Sequence, residues 1–409
     1  MKQVALTGMG IVSPFGVGSE LFQDALVTGR GAACPITRFK LKDWCNVKLA
    51  ATVPQFSLED LTKDTKESKR ASPQLQLAWA AMYLAMKDSN LDLSNKLNER
   101  TGLFAGYGRF GTERMEDLLG KLLFGKFKEL LPVRIESLHP HGTTAHLGYL
   151  YNIVGPTMTF CASCQSGIQA LDAALTNLKL GKIEIAIVLA ADLISNFQFH
   201  AEAAAGILSP ETNPKMVPRP YDREADGQLL SEGAVALVFE HPESAIERGA
   251  RIRARLVELK TIIDTCPFPP ESLKWDMSPA LSQLFKNLDL TDLNLLCADG
   301  RGIPYWDQVE SRAIEKALGA SSDKIPVTSI HGNLGHAGGT SSLFQIAATT
   351  LSMEQSIISP INNLDHTAEG CNLDFVTMKP RHSRINKALV VSHSWAGDHN
   401  ALLMQGALS

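Results

Sequence analysis

The residue with the clearest chemical potential is Cys164, in segment 155–167, where an extended run leads into a helix expected to begin near Ser166. A cysteine at such a turn lies at the positive end of a helix, and this setting favours the thiolate and lowers the thiol pKa. The free backbone N–H groups of the turn can also receive an oxyanion, so the segment suits a cysteine nucleophile. A small buried structural cysteine is the alternative, and we interpret Cys161 in this way.

A second group of candidates lies in the glycine-rich segment 331–340, which contains His331 and His336. Glycines let the backbone approach a ligand closely, and an imidazole can exchange a proton near neutral pH. Taken alone, a histidine among glycines is structural as often as functional. Segment 219–234 contains no nucleophile–base pair, and we interpret it as structural.

The elements that must position these residues alternate between strands and helices. Short apolar runs predict buried strands, and helical periodicity predicts helices between them. This alternation favours α/β layers with largely parallel sheets. The predicted strands are 3–6, 183–190, 234–239, 293–297 and 388–391, the predicted helices are 73–86, 167–180 and 340–353, and 109–134 is expected to be an amphipathic insertion.

The composition excludes several classes of protein. The chain has 409 residues, of which 44% are hydrophobic and 20% charged, with a formal net charge of −4, which is typical of a globular protein without a basic surface for nucleic acid or membranes. Its seven cysteines show no metal-ligand or disulfide pattern, which fits a reducing cytosol. Neither a metal nor a cofactor is expected. The N-terminus lacks a signal-peptide pattern and no run of eighteen apolar residues occurs, so we expect a cytoplasmic protein without a transmembrane helix.

Together these segments resemble the β-ketoacyl synthase (ketosynthase) family of the thiolase superfamily. Residues 4–14 are similar to its first strand and turn, the Cys164 segment to its nucleophile elbow, and 219–234 to its RPF-D…DG…GEGA signature. Residues 298–304 with Asp307 and Glu310 resemble its A-H-G-T-G-T-P…D…E motif, and Gly335-His336 resembles its K-S-x-x-G-H motif.

The resemblance implies a dimeric α/β protein with a thiolase-like five-layer αβαβα sandwich, built from two pseudo-symmetric halves. The halves are expected at 1–245, which carries Cys164, and 246–409, which carries Asp299, His336 and Ala396. The charged stretch 241–252 marks the boundary between them.

The resemblance also implies a chemistry that this chain can perform only in part. In the family a cysteine accepts an acyl chain from a carrier protein, and two neutral histidines stabilise the enolate formed by decarboxylation. Here Asp299 replaces the first histidine, Arg301 replaces a threonine, and His331 replaces a lysine. An ionised Asp299 would repel an enolate at about 4 Å by about 4 kcal/mol. The spacing of Asp299 and Arg301 predicts an ion pair, whereas a protonated Asp299 that donates a hydrogen bond is the alternative.

The C-terminal loop departs from the family pattern as well. Residues 395–400 retain one glycine and the final asparagine of the family's G-F-G-G-T-N loop, which gates the pocket and lends an N–H group to the oxyanion hole. Ala396 replaces the gating phenylalanine, and Asp398 adds an anion. No cysteine occurs in 392–400, unlike in thiolases, and Gly335-His336 disfavours the initiating synthases that carry asparagine there.

These departures predict a chain-length-factor-like subunit that does not condense and pairs with an active ketosynthase in a type II polyketide system. Acyl carrier protein is the second expected partner. Phe110, Met115 and Leu118 are candidates for the tunnel lining, although they fit an ordinary core equally well. The best-known chain-length factors carry glutamine at the nucleophile position, whereas Cys164 is retained here. An active synthase with an unusual Cys164/Asp299/His336 site is therefore the main alternative, and a purely structural thiolase-fold protein is a third.

Overall fold

Most strands lie side by side in one mixed sheet that crosses both halves of the chain. The computed structural model of the protein describes residues 3–69, 71–92, 98–109, 111–129, 139–264, 276–286 and 288–407. In space the main strands follow the order β9-β8-β7-β10-β11-β6-β1-β5-β4-β2-β3. They are β1 (Val4–Ser13), β2 (Thr101–Gly106), β3 (Thr157–Phe160), β4 (Ile185–Asp192), β5 (Gly233–Glu240), β6 (Ala254–Ile263), β7 (Leu295–Cys297), β8 (Pro326–Thr328), β9 (Asp374–Phe375), β10 (Lys387–His393) and β11 (Asp398–Gly406).

Helices cover both faces of this sheet. The main ones are α1 (Ser19–Val27), α2 (Pro73–Asp88), α3 (Thr112–Leu123), α4 (Pro140–Leu150), α5 (Ser166–Lys179), α6 (Asn196–Ala204), α7 (Pro242–Glu247), α8 (Ser278–Phe285), α9 (Pro304–Leu318) and α10 (Ser341–Gln355). Shorter helices span Leu58–Thr62, Thr65–Ser68 and His331–Leu334, and 3₁₀ turns span Phe127–Glu129, Ser163–Gln165, Gly319–Ser321 and Gly338–Thr340. Two-residue strands lie at Gly16–Val17, Cys34–Pro35, Leu49–Ala50, Ile357–Ile358 and Arg381–His382.

The two halves repeat one pattern of strand pairing. In the first half β1, β5 and β4 pair antiparallel in turn, and β2 and β3 then follow parallel. In the second half β6, β11 and β10 pair antiparallel in turn, and β7 and β8 then follow parallel. The halves join where residues 4–6 of β1 pair with residues 254–256 of β6. The pseudo-symmetric halves that the sequence predicted are therefore confirmed.

Three main apolar cores fill the space between the five layers, and the central core occupies both sides of the middle layer of helices. Alternate side chains of strand β4 belong to different cores, because successive residues of a strand point to opposite faces of the sheet. Ile187 and Leu189 face α2, while the intervening Val188 faces the central core. Strand β10 does the same for the second half, with Val390 towards the centre and Leu389 towards α8 and α9. Helices α5 and α10 share the central core between the two halves of the sheet. This arrangement is the predicted αβαβα sandwich.

The elements predicted from the sequence are present, with longer bounds for most strands. Helix α2 begins as Pro73 predicts, with Ser72 at the N-cap accepting the N–H of Leu75 at 3.2 Å. Segment 109–134 contains α3, and 241–252 contains α7 between β5 and β6. The boundary near residue 245 remains a prediction. No helix in the described part of the chain has the length and apolar character needed to cross a bilayer.

Candidate active site

The predicted nucleophile turn, residues 161–165 with Cys164, forms where β3 ends and α5 begins. Ser163 has a φ of 50°, in the left-handed region, and this turns the chain sharply before Cys164. The Ser166 hydroxyl accepts the N–H of Ala162 and donates to the carbonyl of Ser163, both at 2.8 Å. Cys164 is consequently held half-buried at the start of α5. The expectation that Cys161 lies in the core is wrong, because β3 ends one residue earlier and Cys161 is exposed.

A close contact between the two halves of the chain packs against this turn. A Cβ atom on Gly108 would lie 2.6 Å from both the Gly339 nitrogen and the Ser163 carbonyl oxygen, so only glycine allows this approach. The buried Asp192 carboxylate accepts N–H groups from Gly108, Arg109 and Gly339 at 3.2, 2.8 and 2.7 Å. Burial raises the pKa of Asp192 to about 6, although Arg109 and these N–H groups oppose the shift. Asp192 thereby ties the glycine-rich turns of both halves together.

The environment of Cys164 makes it a weak acid. Burial raises the pKa of the Cys164 thiol above its ordinary value, and the positive charges of Arg301 and Arg109 only partly oppose this. The predicted lowering by the helix terminus is therefore overturned, since desolvation of the thiolate outweighs the favourable charges. A thiol in this state is a poor nucleophile near neutral pH.

The predicted ion pair between Asp299 and Arg301 forms and is fully buried. Arg301 Nε and Nη2 lie 2.8 and 2.7 Å from the Asp299 Oδ2 atom, and Nη2 also donates to the carbonyl of His393. The guanidinium lies 4.8 Å from the ring centre of Trp306 and 5.4 Å from that of Trp395. Arg301 neutralises Asp299, so the expected repulsion of an enolate is largely offset. What the site loses at position 299 is an N–H donor.

A rigid network holds the loop that carries this pair. Glu310 accepts the Tyr221 hydroxyl at 2.7 Å and the Asp299 N–H at 2.8 Å. Asp307 accepts the N–H groups of Tyr221 at 2.9 Å and of Arg301 at 2.8 Å. Burial raises the pKa of Asp307 to about 7. Segment 219–234 is thus structural, as predicted.

Two imidazoles, from His331 and His336, pack edge to face with ring centres 5.4 Å apart. Burial lowers the pKa of both, that of His336 well below its usual range, so each ring is neutral and carries one N–H group. The Nδ1 atom of His331 lies 2.5 Å from the Asp299 carbonyl oxygen, which can only accept. The proton of His331 is therefore on Nδ1, and its Nε2 atom has a lone pair instead of an N–H group.

The C-terminal loop is the hairpin between β10 and β11. Ala396 is exposed at its tip, and its N–H donates to the Ser394 hydroxyl at 3.1 Å, so this N–H group is engaged within the loop. Ser394 also donates to the Asp398 carboxylate at 2.6 Å, which keeps that anion hydrogen-bonded inside the turn. Behind the tip, Nδ1 atoms of His393 and His399 lie 2.9 Å apart.

The structure places Asp299 and His336 on either side of His331, whose Nδ1 atom lies 2.5 Å from the Asp299 carbonyl oxygen and whose ring centre lies 5.4 Å from that of His336. Of the proposed tunnel residues, Leu118 is buried on α3, Met115 is 44% exposed on the same helix, and Phe110 lies outside the described residues. Among the described residues no cluster of side chains suits a metal ion.

Sequence reasoning missed several residues that organise the site. Asp192 and Arg109 were overlooked, although a polar residue at the end of an apolar strand, as Asp192 is, was a usable signal. Arg109 donates to the carbonyls of Ser231 and His336 at 2.6 and 3.2 Å and so fixes the His336 segment. Gln165 accepts from the Asn400 amide and connects the nucleophile turn to β11.

Comparisons with known proteins agree with this architecture. The family model described as "Beta-ketoacyl synthase, N-terminal domain" matches residues 1–245, and "Beta-ketoacyl synthase, C-terminal domain" matches 275–365. A putative polyketide beta-ketoacyl synthase 1 from Streptomyces cyaneus is 27% identical over 99% of this chain and 98% of that protein. The ishigamide ketosynthase/chain length factor is 25% identical with a TM-score of 0.87, and both chains are covered to 99%. This chain is also similar to one in the solved structure of a type II polyketide synthase acyl-carrier protein in complex with its ketosynthase bound to the hexaketide. The sequence identity to that chain is 23% and the TM-score is 0.87, with 99% of both chains covered.

Proposed function

The chain belongs to the beta-ketoacyl synthase family, and we propose that it is a chain-length-factor-like member that does not condense. In this role it pairs with an active ketosynthase in type II polyketide biosynthesis and shapes the tunnel that holds the growing acyl chain. Cys164, Asp299 and His336 occupy the family's catalytic positions in a site that no longer completes the reaction.

The observation that carries this proposal is the shortage of N–H donors for an enolate. The Asp299 carboxylate accepts from Arg301, and the adjacent His331 keeps its only proton on the Asp299 carbonyl. Of the two imidazole donors that decarboxylation requires, only His336 remains. Losing one such donor costs a factor of about 10²–10³ in rate.

The state of the nucleophile supports the same role. Burial raises the pKa of the Cys164 thiol, so little thiolate is present to accept an acyl chain. In the C-terminal loop, from which the family lends an N–H group to the oxyanion, the N–H of Ala396 donates to the Ser394 hydroxyl. Acyl loading and oxyanion stabilisation are therefore both weakened.

Two surfaces suited to a partner subunit are the exposed face of α3 and the free edge of strand β3. Strand β3 pairs only with β2 among the described strands, and its other edge is available for a further strand. Met158 is exposed on β3, and the exposed apolar side chains on α3 and directly after it are Met115, Leu119, Leu122, Leu123 and Phe124. Such an apolar patch is typical of a subunit interface, and the solved ishigamide ketosynthase/chain length factor names a pair of this kind.

The tunnel assignment follows from this surface. Met115 and Leu118 lie on α3, which also carries the exposed apolar face, so side chains of this helix would close a tunnel that reaches the interface. Phe110, just before α3 in the sequence, remains a candidate from the sequence alone. Acyl carrier protein is the proposed second partner, as in the solved carrier-protein complex of the type II relative.

A second candidate function, an active condensing synthase, is favoured by one observation. Cys164 and His336 are both retained at the family positions, and the Nε2 atom of His336 has no hydrogen-bond partner among the described residues. Condensation by this chain alone would then rest on a single imidazole donor.

Reconstitution separates the two functions. The chain is purified alone and together with a co-expressed ketosynthase that has a complete Cys/His/His site, and each sample is given malonyl-loaded acyl carrier protein. Products bound to the carrier are measured by mass spectrometry. We expect elongation only in the paired sample. Elongation by the chain alone, above the level of its Cys164→Ala variant, would instead establish an active synthase.

A further inference from the structure

A basic cleft of about 800 Å³ lies where the last turn of α10 meets the segments that lead into β6 and β10. Its volume is within the range of small-molecule sites in proteins. Among the described residues that line it, Glu354 alone is acidic, whereas three are arginines: Arg251, Arg253 and Arg384. The cleft belongs to none of the sites considered so far.

The cleft is distant from the candidate active site. Helix α10 begins directly after the glycine turn that contains Gly339, and it reaches the cleft at its other end, 15 residues later. At a rise of 1.5 Å per residue the helix spans about 22 Å. Strand β10 runs the same way, because it begins after Asn386 of the cleft and ends at His393, whose carbonyl accepts from Arg301.

An ion-pair network holds one wall of the cleft in place. The Arg253 side chain is 7% exposed and lies 2.5 Å from the Asp88 carboxylate and 2.8 Å from the Glu354 carboxylate. Glu354 also accepts from Nη2 of Arg251 at 2.9 Å. Arg253 is thus fully paired, whereas the exposed Arg251 shares its carboxylate and has N–H groups without a partner among the described residues.

A second wall carries Arg384, which is exposed. Its Nε atom donates to the Asn386 amide oxygen at 3.0 Å, and the N–H of Asn386 donates to Asn294 at 2.9 Å. In the described part of the chain no carboxylate lies within ion-pair distance of Arg384, so both of its Nη atoms are available to an anion. The hydroxyl groups of Ser356 and Ser383 line the same cleft.

These donors indicate the class of ligand. A guanidinium edge forms paired hydrogen bonds with an anionic group, and free edges on two walls suit a ligand with more than one such group. The serine hydroxyls favour phosphate, because its three terminal oxygens accept more hydrogen bonds than the two of a carboxylate. The carbonyl end of α10 opposes an anion by only about half a charge. None of the described lining residues is an exposed large apolar side chain, which favours a soluble ligand over a lipid.

We propose that this cleft binds a soluble small molecule with two or more phosphate groups, through the guanidinium groups of Arg251 and Arg384. Arg253 and Glu354 hold Arg251 in place, and Asn386 holds Arg384, so the donors are positioned before the ligand arrives. The proposal goes beyond the proposed function and does not depend on it.

Isothermal titration calorimetry of the full chain with sodium pyrophosphate tests the proposal. Sodium chloride keeps the ionic strength constant, and a parallel titration uses citrate, a carboxylate anion of similar charge. The variant Arg384→Gln removes a guanidinium from an exposed position, so the fold should persist. Arg312→Gln is the matched control, because Arg312 is exposed on α9 and does not line the cleft.

We expect saturable binding of pyrophosphate by the unaltered chain. Arg384→Gln should weaken this binding at least about tenfold, because hydrogen bonds to a charged group are lost, whereas Arg312→Gln should leave it unchanged. Citrate should bind more weakly than pyrophosphate. Vesicles that contain phosphatidic acid should not retain the chain in a sedimentation assay.

The proposal would be overturned if the unaltered chain showed no saturable binding of pyrophosphate, and this result needs no variant to fold. Equal affinities of Arg384→Gln and Arg312→Gln would place the binding elsewhere. Tighter binding of citrate would reject phosphate as the ligand class, and retention by the vesicles would reject a soluble ligand. None of these results bears on elongation by the reconstituted pair, so the two proposals can fail independently.

Discussion

The buried pair of Asp299 and Arg301 sets the chemistry of the site at the level of single residues. Each side chain satisfies a charge that the other would otherwise leave unpaired in a water-excluded environment. The pair thus removes an N–H donor from position 299 without leaving a net charge there. Under the proposed function, the same interaction stabilises the loop and takes the place of a donor that condensation needs.

Removal of one partner should be costly. The variant Asp299→Ala leaves the Arg301 guanidinium buried without its counter-ion, and we expect the free energy of unfolding to fall by about 3–5 kcal/mol. Asp117→Ala is the control, because it breaks the exposed Asp117–Lys121 pair on α3 and should cost less than about 1 kcal/mol. Urea unfolding measures both. Equal losses in the two variants would contradict a structural role for the buried pair.

Single residues also mark the limit of sequence reasoning. The Asp299–Arg301 pair was predictable, since opposite charges two residues apart in one loop are close in almost any conformation. The acidity of Cys164 was not, because its sign depends on how deeply the rest of the chain buries the thiol. The tautomer of His331 was equally inaccessible, as it is fixed by a carbonyl 32 positions away in the sequence.

At the level of elements, the β10–β11 hairpin contains a titratable pair behind the site. His399 is buried against His393, and its Nε2 atom lies 3.9 Å from the Asp264 carboxylate. Burial and the neighbouring imidazole lower the pKa of His399 to about 3. In the unfolded chain His399 binds a proton below its ordinary pKa of 6.5, whereas in the folded hairpin it stays neutral until the pH is much lower.

This depressed pKa predicts a pH dependence with a definite sign. Stability from the neutral His399 is fully present above pH 6.5 and falls as the pH drops towards 3, by up to about 1.4 kcal/mol per pH unit. His399→Gln should flatten the slope of unfolding free energy between pH 6.5 and 4, whatever it does to stability at neutral pH. The exposed His382→Gln serves as the control, and an unchanged slope in His399→Gln would count against the assignment.

The apolar face of α3 gives a second prediction at this level. Leu119→Glu places a charge in the proposed subunit interface, where desolvation of the carboxylate should weaken binding of the partner ketosynthase at least tenfold. Leu180→Glu is the matched control, because Leu180 is also exposed but lies at the end of α5. Sedimentation of the mixed subunits measures the affinity. Equal binding by both variants would move the interface away from α3.

Helices and strands could be predicted from the sequence where one or both faces of the element are apolar. Strand 183–190 and helix 73–86 are long, strongly patterned segments, and the structure contains both. The two-residue strand β9 gave no such pattern, because its place at the edge of the sheet comes from pairing with β8. The ends of β1 and β6 were equally hard to predict, since β1 continues buried through Thr7 and two glycines, whereas β6 is only partly buried.

At the level of the whole molecule, two similar halves meet at the nucleophile turn. Gly108 and Gly339 approach each other beneath Ser163, and Asp192 binds both loops. The five-layer architecture was predictable through the family motifs, which occur in this chain in the family's order. The local apolar patterns alone predict an α/β protein, but they do not predict that its two halves repeat the same strand pairing.

The most direct test of the account is the yield of the reconstituted pair when this chain carries Cys164→Ala. If the chain shapes the tunnel and leaves condensation to its partner, the amount and length of the carrier-bound product should equal those of the unaltered pair. The matching cysteine-to-alanine change in the partner should abolish the product. Loss of product from Cys164→Ala in an intact heterodimer would show that this thiol carries the chain, and would contradict the proposed non-condensing role.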